Sequence, residues 1–284
     1  LPGPAAYGRN DTAGQLTRAQ TEKNRAALLP KVVNFLPEDP PGDLLQLNKG
    51  GVSMSISENI AAIRREIHLA AAKTGRTGAD ITLVGASKMN DAAACREAIA
   101  AGIDVLGENR VQEMTQKLAE NAYDGVPLHF IGHLQRNKVK QVVGKAALIQ
   151  SVSSTALLDE IEKTAEKLGI VQDILLEVNI GGEEAKSGFA PGALNEAACY
   201  AKTLPHVRVL GLMTIPPVET EPHGNMPLFT RMKALYVDIN KNIYDNKLKY
   251  LSMGMSGDYA EAIEAGSNMV RVGPAVFGAR NYSK

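Results

Sequence analysis

Ile81-Thr-Leu-Val-Gly-Ala-Ser-Lys88 is the stretch that decides the fold, because a mostly apolar, partly β-branched run leads straight into a lysine. Such a run, followed by a helical segment, is typical of a parallel strand buried on both faces. Burial disfavours the charged form of an amine, and a neutral amine is a nucleophile whose natural partner is an aldehyde. The alternative is a structural lysine whose stem is buried and whose ammonium group reaches water.

Strand-like and helix-like segments alternate from Met54 onward. Eight segments have the pattern of strands, and they are 81–87, 104–106, 128–131, 147–151, 173–179, 207–213, 250–252 and 269–272. Eight such β–α units predict a single (β/α)8 barrel of the TIM type, in the α/β class. An open, doubly wound sheet is the alternative, but the Gly-rich dinucleotide-binding turn after the first strand is absent.

Residues 1–53 differ in composition from the rest of the chain. They hold six of the fourteen prolines, contain no methionine and show no sustained periodicity. We therefore expect 1–53 to be a disordered extension or a segment outside the native fold, and 54–284 to be the barrel domain. Ser57 is the expected N-cap of the first helix of that domain.

Charge and composition argue against several classes of protein. The 31 basic and 31 acidic side chains cancel, which argues against nucleic-acid binding by bulk electrostatics and against a polybasic membrane anchor. The sequence has neither an apolar run long enough to span a membrane nor the pattern of a secretory signal, so we expect a cytoplasmic protein. Cys95 and Cys199 lack metal-binding or CxxC spacing and are expected to be small buried residues in a reducing compartment.

Polar residues and glycines follow the predicted strands, at the end where barrels of this class place their sites. Ser252, Gly254 and Ser256 follow strand seven and Gly273 follows strand eight, and together they resemble a phosphate cradle that precedes helix starts. The alternative is that these glycines only serve tight turns. An aldehyde-seeking lysine and a phosphate cradle at one barrel mouth suggest a phosphorylated aldehyde, which pyridoxal 5′-phosphate (PLP) fits.

Arg271 and Asn109 are candidates to face the pyridine ring of such a cofactor. An arginine opposite the ring nitrogen would keep that nitrogen unprotonated, because a second positive charge nearby is unfavourable. An unprotonated ring is a weaker electron sink, which predicts poor carbanion chemistry. Other residues have plainer interpretations: Met213 as core filler, His133 as a hydrogen-bonded loop histidine, and 108–110 as a cap for the next helix.

Six motifs stand in order along the chain. They are Val84-Gly-Ala-Ser-Lys88, Leu106-Gly-Glu-Asn-Arg-Val-Gln-Glu113, His129-Phe-Ile-Gly-His-Leu-Gln-Arg-Asn-Lys138, Val178-Asn-Ile180 with Lys186-Ser-Gly-Phe189, Gly211-Leu-Met213, and Leu251-Ser-Met-Gly-Met-Ser256 with Val270-Arg-Val-Gly273 and Phe277-Gly-Ala-Arg280. Together they resemble the pyridoxal phosphate homeostasis proteins. The match runs from about Met54 to Arg280 and leaves 1–53 outside.

The resemblance implies a barrel like the N-terminal domain of alanine racemase, with PLP held on Lys88 as a Schiff base. It implies phosphate contacts from 252–256 and from the Gly273 turn, with Arg271 near the ring nitrogen. The candidate cofactor-binding residues are therefore Lys88, Asn109, Met213, Ser252, Gly254, Ser256, Arg271 and Gly273. The family is regarded as carriers or regulators of vitamin B6 without substantial catalysis, which makes PLP-dependent apoenzymes the candidate partners.

Pro274 departs from the family pattern, which usually has Thr or Ser after the Gly273 turn. Proline offers neither a hydroxyl nor an N–H group. One or two phosphate hydrogen bonds should be lost, each worth about 1.5–3 kcal/mol, so we expect weaker retention of the phosphate.

Two other functions compete with this interpretation. The first is a PLP-dependent amino-acid racemase, but such enzymes carry a second, β-rich domain after the barrel, whereas this chain stops at Lys284. We therefore expect a non-catalytic protein and, without the dimer contacts of that domain, a monomer. The second is a barrel that binds another phosphorylated metabolite, with Lys88 as a simple charge partner.

Overall fold

The eight predicted strands form a closed parallel barrel in chain order, and the last strand pairs with the first. This computed structural model describes residues 54–219, 221 and 223–278, so the proposed extension 1–53 lies outside the described residues. The strands are β1 Thr82–Ala86, β2 Val105–Glu108, β3 Leu128–Phe130, β4 Leu148–Val152, β5 Gln172–Glu177, β6 Val207–Met213, β7 Tyr250–Ser252 and β8 Met269–Val272. The predicted (β/α)8 barrel is thereby confirmed, and the alternative prediction of an open, doubly wound sheet is wrong.

Helices pack around the barrel. They are α1 Ile56–Ala72, α2 Ala92–Ala100, α3 Val111–Ala119, α4 Thr155–Leu168, α5 Leu194–Lys202, α6 Met226–Asn242, α7 Tyr259–Glu264 and α8 Pro274–Phe277, with 3₁₀ helices at Gly78–Asp80, Arg136–Gln141 and Pro191–Ala193. Between β3 and β4 the 3₁₀ segment Arg136–Gln141 stands where the other connections carry an α-helix. Among the residues described, no helix has the length and apolar character needed to cross a membrane.

The first helix begins at a capping box formed by Ser55 and Glu58. The Ser55 hydroxyl accepts a hydrogen bond from the Glu58 N–H at 3.2 Å, and the Glu58 carboxylate accepts one from the Ser55 N–H at 2.8 Å. Each side chain satisfies a backbone N–H that lacks a partner within the helix. The expectation that Ser57 caps this helix was wrong, because only Ser55 has a glutamate three residues later.

Side-chain alternation gives the barrel two separate apolar layers. The larger layer lies between strands and helices, and the smaller one fills the interior of the barrel. The interior residues are Val84, Val105, Leu148, Leu175, Met213 and Met269. Because alternate residues of a strand share a face, the residues two positions further on also face the interior, nearer the C-terminal ends.

The two cysteines have different surroundings. Cys95 is buried on α2, as expected, whereas Cys199 is exposed on α5. The expectation for Cys199 was wrong because its neighbours Ala197 and Ala198 carry the buried face of that helix and Cys199 lies on the solvent side.

Candidate functional site

Lys88 lies two residues beyond β1, at the C-terminal mouth of the barrel, and is half-buried. It follows the interior residue Val84 by four positions, which corresponds to the inward-facing side of the strand. The next residue, Met89, has a φ angle of 64°, in the left-handed region. The structure therefore places the lysine where the sequence predicted it, in a sharply turned segment.

A buried polar cluster lies behind this segment, between β1, β2 and α3. The Glu108 carboxylate accepts hydrogen bonds from Ser87 Oγ at 2.6 Å, Lys117 Nζ at 2.6 Å and the Tyr123 hydroxyl at 3.1 Å. Burial and the adjacent carboxylate raise the pKa of Tyr123 far above its usual range, so this phenol stays protonated. Glu108 was interpreted as part of a helix cap, but its side chain is fully buried and forms the centre of this cluster.

Next to β1, the turns after β7 and β8 bring together Gly254, Ser256 and Gly273 at the mouth. The Gly273 N–H donates to Ser256 Oγ at 3.3 Å, which joins the turn after β7 to the turn after β8. Gly254 has a φ of 97°, and a Cβ atom there would lie 2.6 Å from the Cβ of Ala262 and 2.9 Å from the Cα of Tyr259. Only glycine fits this turn, which keeps backbone close to the mouth.

Arg271 lies inside the barrel and is almost completely buried. Its Nη1 donates to Ser252 Oγ at 2.6 Å, and its Nη2 donates to the carbonyl oxygen of Thr214 at 2.8 Å. Burial lowers the pKa of Arg271 to about 10, while Glu177 and Asp258 act in the opposite direction. The guanidinium therefore remains charged at neutral pH, close to the site.

A chain of neutral hydrogen bonds continues from Arg271 across the barrel interior. Ser252 Oγ donates to Gln150 Oε1 at 2.7 Å, and Gln150 Nε2 lies 2.9 Å from Nδ1 of His129. Burial lowers the pKa of His129 to about 4, so the imidazole is neutral and accepts from the amide in this arrangement. The Ser252 hydroxyl thus accepts from Arg271 and donates to Gln150, and its contact with a phosphate stays a prediction.

Four buried side-chain oxygen atoms have no hydrogen-bond partner among the described residues, and besides Oε2 of Glu108 and Oδ1 of Asn225 there are two more. One is Oδ1 of Asn109 and the other is Oε2 of Glu177. Burial raises the pKa of Glu177, and the positive charge of Arg271 opposes this shift. Acceptors left unpaired in a buried site are costly, so each of these oxygens calls for an explanation.

Asn109 and Met213 lie in different surroundings near the mouth. Gly132 packs against the backbone of Asn109, since a Cβ on that glycine would lie 2.2 Å from the Asn109 carbonyl oxygen. Met213 is fully buried in the interior layer and pairs in register with Ser252. His133 is exposed, and its Nδ1 lies 2.9 Å from Ser187 Oγ, as expected for a loop histidine.

Sequence reasoning missed several buried polar residues. They are Ser87, Lys117 and Tyr123 around Glu108, and His129, Gln150 and Glu177 inside the barrel. The interior members carried a usable signal, because Gln150 and Glu177 lie two positions after the interior residues Leu148 and Leu175. The described residues contain no group of three or more His, Cys, Asp or Glu side chains that could hold a metal ion.

Comparisons with known proteins agree with this architecture. The sequence profile of the alanine racemase N-terminal domain matches residues 58–281. The pyridoxal phosphate homeostasis protein of Aquifex aeolicus is 43% identical over 229 residues, covering 81% of this chain and 100% of that protein. The Escherichia coli K12 protein of the same name is 37% identical over 234 residues, covering 81% and 98%.

Solved structures show the same fold. PipY of Synechococcus elongatus PCC7942, solved with PLP bound, is 31% identical with a TM-score of 0.69, covering 79% of this chain and all of that one. An alanine racemase from Clostridium difficile 630 is 14% identical with a TM-score of 0.62, covering 81% of this chain and 58% of that one, and shows a likeness of fold alone. The chain therefore belongs to the pyridoxal phosphate homeostasis protein family, whose barrel is that of the alanine racemase N-terminal domain.

Proposed function

We propose that this protein binds PLP through a Schiff base on Lys88 and serves intracellular PLP homeostasis. The observation that carries the proposal is the meeting of Lys88, a buried charged Arg271 and the Gly254–Ser256–Gly273 turns at one end of one barrel. The names of the relatives and the PLP-bound PipY structure support it. The residues also fit the chemistry of the group, because an amine, a cation and approachable backbone N–H groups suit its aldehyde, its ring nitrogen and its phosphate.

Each residue has a proposed role. Lys88 supplies the amine, Arg271 faces the ring nitrogen, and Ser256 with the Gly254 and Gly273 backbones binds the phosphate. The unpaired Oδ1 of Asn109 accepts a hydrogen bond from the cofactor, and Met213 and Ser252 shape and support the floor of the site. When bound, PLP supplies an aldehyde for the lysine and a ring that can delocalise negative charge.

The proposed role is non-catalytic, because the charge of Arg271 opposes protonation of the ring nitrogen and weakens the ring as an electron sink. The test is exchange of the Cα proton of alanine in deuterium oxide, followed by NMR with the PLP-loaded protein. We expect negligible exchange above free PLP. Rapid exchange that disappears in Lys88→Ala would support the racemase alternative instead.

PLP-dependent apoenzymes are the proposed partners of a cytoplasmic monomer. Reactivation of a PLP-free aminotransferase by the loaded protein, faster than by an equal amount of free PLP, would support such transfer. The barrel segment 54–284 is the proposed binding domain. A chain that lacks 1–53 should therefore bind PLP as the full chain does, and sedimentation of both would test the monomer.

The Schiff base itself is tested by the visible absorbance of the purified protein with added PLP, before and after borohydride reduction. We expect the visible absorbance band of the PLP Schiff base, and its borohydride-reduced adduct, in the wild type and in the exposed-lysine control Lys145→Ala. Neither should be present in Lys88→Ala. Peptide mass spectrometry should place the reduced adduct on Lys88. Absence of the band in the wild type would leave a barrel for another phosphorylated metabolite, with Lys88 as a charge partner.

A further inference from the structure

Both peptide groups that flank Lys88 are held by side chains of one helix, α3. On one side, Lys117 Nζ donates to the carbonyl oxygen of Ser87 at 2.8 Å. On the other side, the N–H of Met89 donates to Glu113 Oε2 at 2.7 Å. Glu113 and Lys117 are one helical turn apart, and Oε2 lies 4.0 Å from Nζ, so the two contacts form one connected unit.

This unit is anchored beneath the strand by Glu108. The carboxylate of Glu108 is fully buried and receives Lys117 Nζ and Ser87 Oγ, each at 2.6 Å. Charge-assisted hydrogen bonds in a buried site are short and directional. The ammonium group of Lys117 therefore has little freedom to leave the Ser87 carbonyl.

The backbone at Met89 is the strained part of this segment. Its φ of 64° is unfavourable for a residue with a Cβ atom, and its side chain is 50% exposed, so burial does little to compensate. A backbone in such a region persists only where its surroundings hold it, and here the Glu113 carboxylate holds its N–H.

We propose that Glu113 and Lys117, anchored on Glu108, are positioning residues that hold the Lys88 backbone in the conformation required for its Schiff base. The proposal rests on the function proposed above and deepens it. In that step the Lys88 nitrogen forms a C=N bond to the aldehyde carbon, and the aldehyde oxygen leaves as water. The reaction needs no oxidant or reductant, and what the protein contributes is placement of the amine.

Glu113→Ala is the variant that tests this, because Glu113 lies at the surface end of the unit and its loss leaves the buried Glu108–Lys117 pair intact. We expect the rate of Schiff-base formation with PLP, followed by absorbance, to fall at least tenfold. Glu113→Gln keeps an acceptor oxygen and should retain an intermediate rate. The matched control is Glu97→Ala, which removes an exposed carboxylate on α2.

A second substitution separates placement from general loosening of the structure. Glycine adopts a φ of 64° without steric cost, so Met89→Gly in the Glu113→Ala background should restore much of the lost rate. A double variant no faster than Glu113→Ala alone would mean that Glu113 does not act through the Met89 backbone, and that result would overturn the proposal. A wild-type rate in Glu113→Ala would also overturn it.

The experiment distinguishes failure of this proposal from failure of the proposed function. If the wild type forms no Schiff base, the proposed PLP function fails. Hydrogen exchange of the Met89 amide in the protein without cofactor then tests whether Glu113 holds the Met89 backbone. We expect exchange of that amide to be at least tenfold faster in Glu113→Ala than in the wild type or Glu97→Ala. Equal rates of Met89 amide exchange in the three proteins would contradict the proposal independently of PLP.

Discussion

Two buried polar networks flank the barrel mouth, and they are built differently. The network behind Lys88 lies outside the barrel wall and pairs opposite charges, Lys117 with Glu108 at 2.6 Å. The network beneath the mouth lies inside the barrel, where the charged Arg271 donates hydrogen bonds to neutral partners, the Ser252 hydroxyl and the Thr214 carbonyl. One network joins opposite charges by a direct hydrogen bond, and in the other the hydrogen bonds of the cation go to neutral groups while the carboxyl groups of Glu177 and Asp258 act on it electrostatically.

This difference corresponds to what each network must do. Behind Lys88, the charged side chains hold the backbone in place. Because Glu108 and Lys117 carry opposite charges, the pair leaves the electrostatic potential at the Lys88 amine nearly unchanged. Beneath the mouth, Arg271 stays charged although burial lowers its pKa to about 10, because Glu177 and Asp258 oppose that shift, and its hydrogen bonds go to neutral groups. Substitutions in the two networks should therefore fail in different ways.

The largest expected effect comes from Lys117→Met, which leaves the Glu108 carboxylate buried without its counter-charge. Removal of one partner of a buried pair costs about 3–5 kcal/mol, and urea unfolding of the cofactor-free protein should show a loss of that size. The double variant Glu108→Gln with Lys117→Met removes both charges and should recover part of the loss. A double variant no more stable than the single one would contradict the pairing described here.

The contribution of the interior network to the free energy of unfolding should depend on pH. His129 has a pKa lowered from 6.5 to about 4 in the folded protein, so the unfolded chain binds a proton more readily between these values. Stability due to this group is therefore fully present above about pH 6.5 and is lost as the pH falls from 6.5 to about 4, by about 3 kcal/mol in total. Denaturant unfolding from pH 7 to pH 4 measures this loss.

His129→Asn is the control for that experiment, since it keeps a polar side chain that does not titrate. The raised pKa of Glu177 acts in the opposite direction, because the folded state binds its proton more readily and gains stability as the pH falls. The informative quantity is therefore the difference between wild type and His129→Asn at each pH. A difference that does not change with pH would mean that His129 titrates normally.

Gly254→Ala should have a smaller effect, localised at the turn after β7. The added methyl group would lie 2.6 Å from the Cβ of Ala262 in a backbone with a φ of 97°, and such strain costs about 1–3 kcal/mol. The matched control is Gly257→Ala, where an added Cβ meets no atom within 4 Å. Thermal unfolding should separate the two, and equal melting temperatures would show that the turn adapts to the methyl group.

The order of strands and the rim of the site were predictable from sequence because both depend on local patterns. Apolar runs bounded by turns located all eight strands, and barrel geometry then placed Lys88, Arg271 and Gly273 at one end. The networks were not predictable in this way. Lys117 meets Glu108 only because α3 folds back over β2, and a lysine on an amphipathic helix usually faces solvent.

Ser252 shows the same limit inside the barrel. Its position at the end of a strand suggested a hydroxyl for phosphate, and strand alternation turns the side chain inward, where it also hydrogen-bonds Gln150 and Arg271. Alternation could have identified that direction. The pairing partners could not be identified, because Gln150 is 102 positions away in the chain and pairs with Ser252 only through closure of the barrel.

The smallest expected effect concerns Pro274, which begins α8 directly after Gly273 and lies exposed at the rim. The proposed phosphate contacts of the turns after β7 and β8 depend on backbone N–H groups, and proline removes one at this position. Pro274→Thr restores an N–H and a hydroxyl, so PLP should be retained about tenfold more tightly, as about 1.4 kcal/mol of added phosphate binding requires.

Equilibrium dialysis of the PLP-loaded protein measures that change, and Pro274→Ala restores the N–H alone. Proline also suits the first turn of a helix, so both variants should keep nearly wild-type stability. A gain in Pro274→Thr that is absent in Pro274→Ala would assign the missing contact to the hydroxyl. Unchanged affinity in both would mean that Ser256 and the Gly254 and Gly273 backbones already satisfy the phosphate. The turns after β7 and β8 would then tolerate the loss of a hydrogen-bond donor at position 274, whereas the network behind Lys88 does not tolerate the loss of the Lys117 charge.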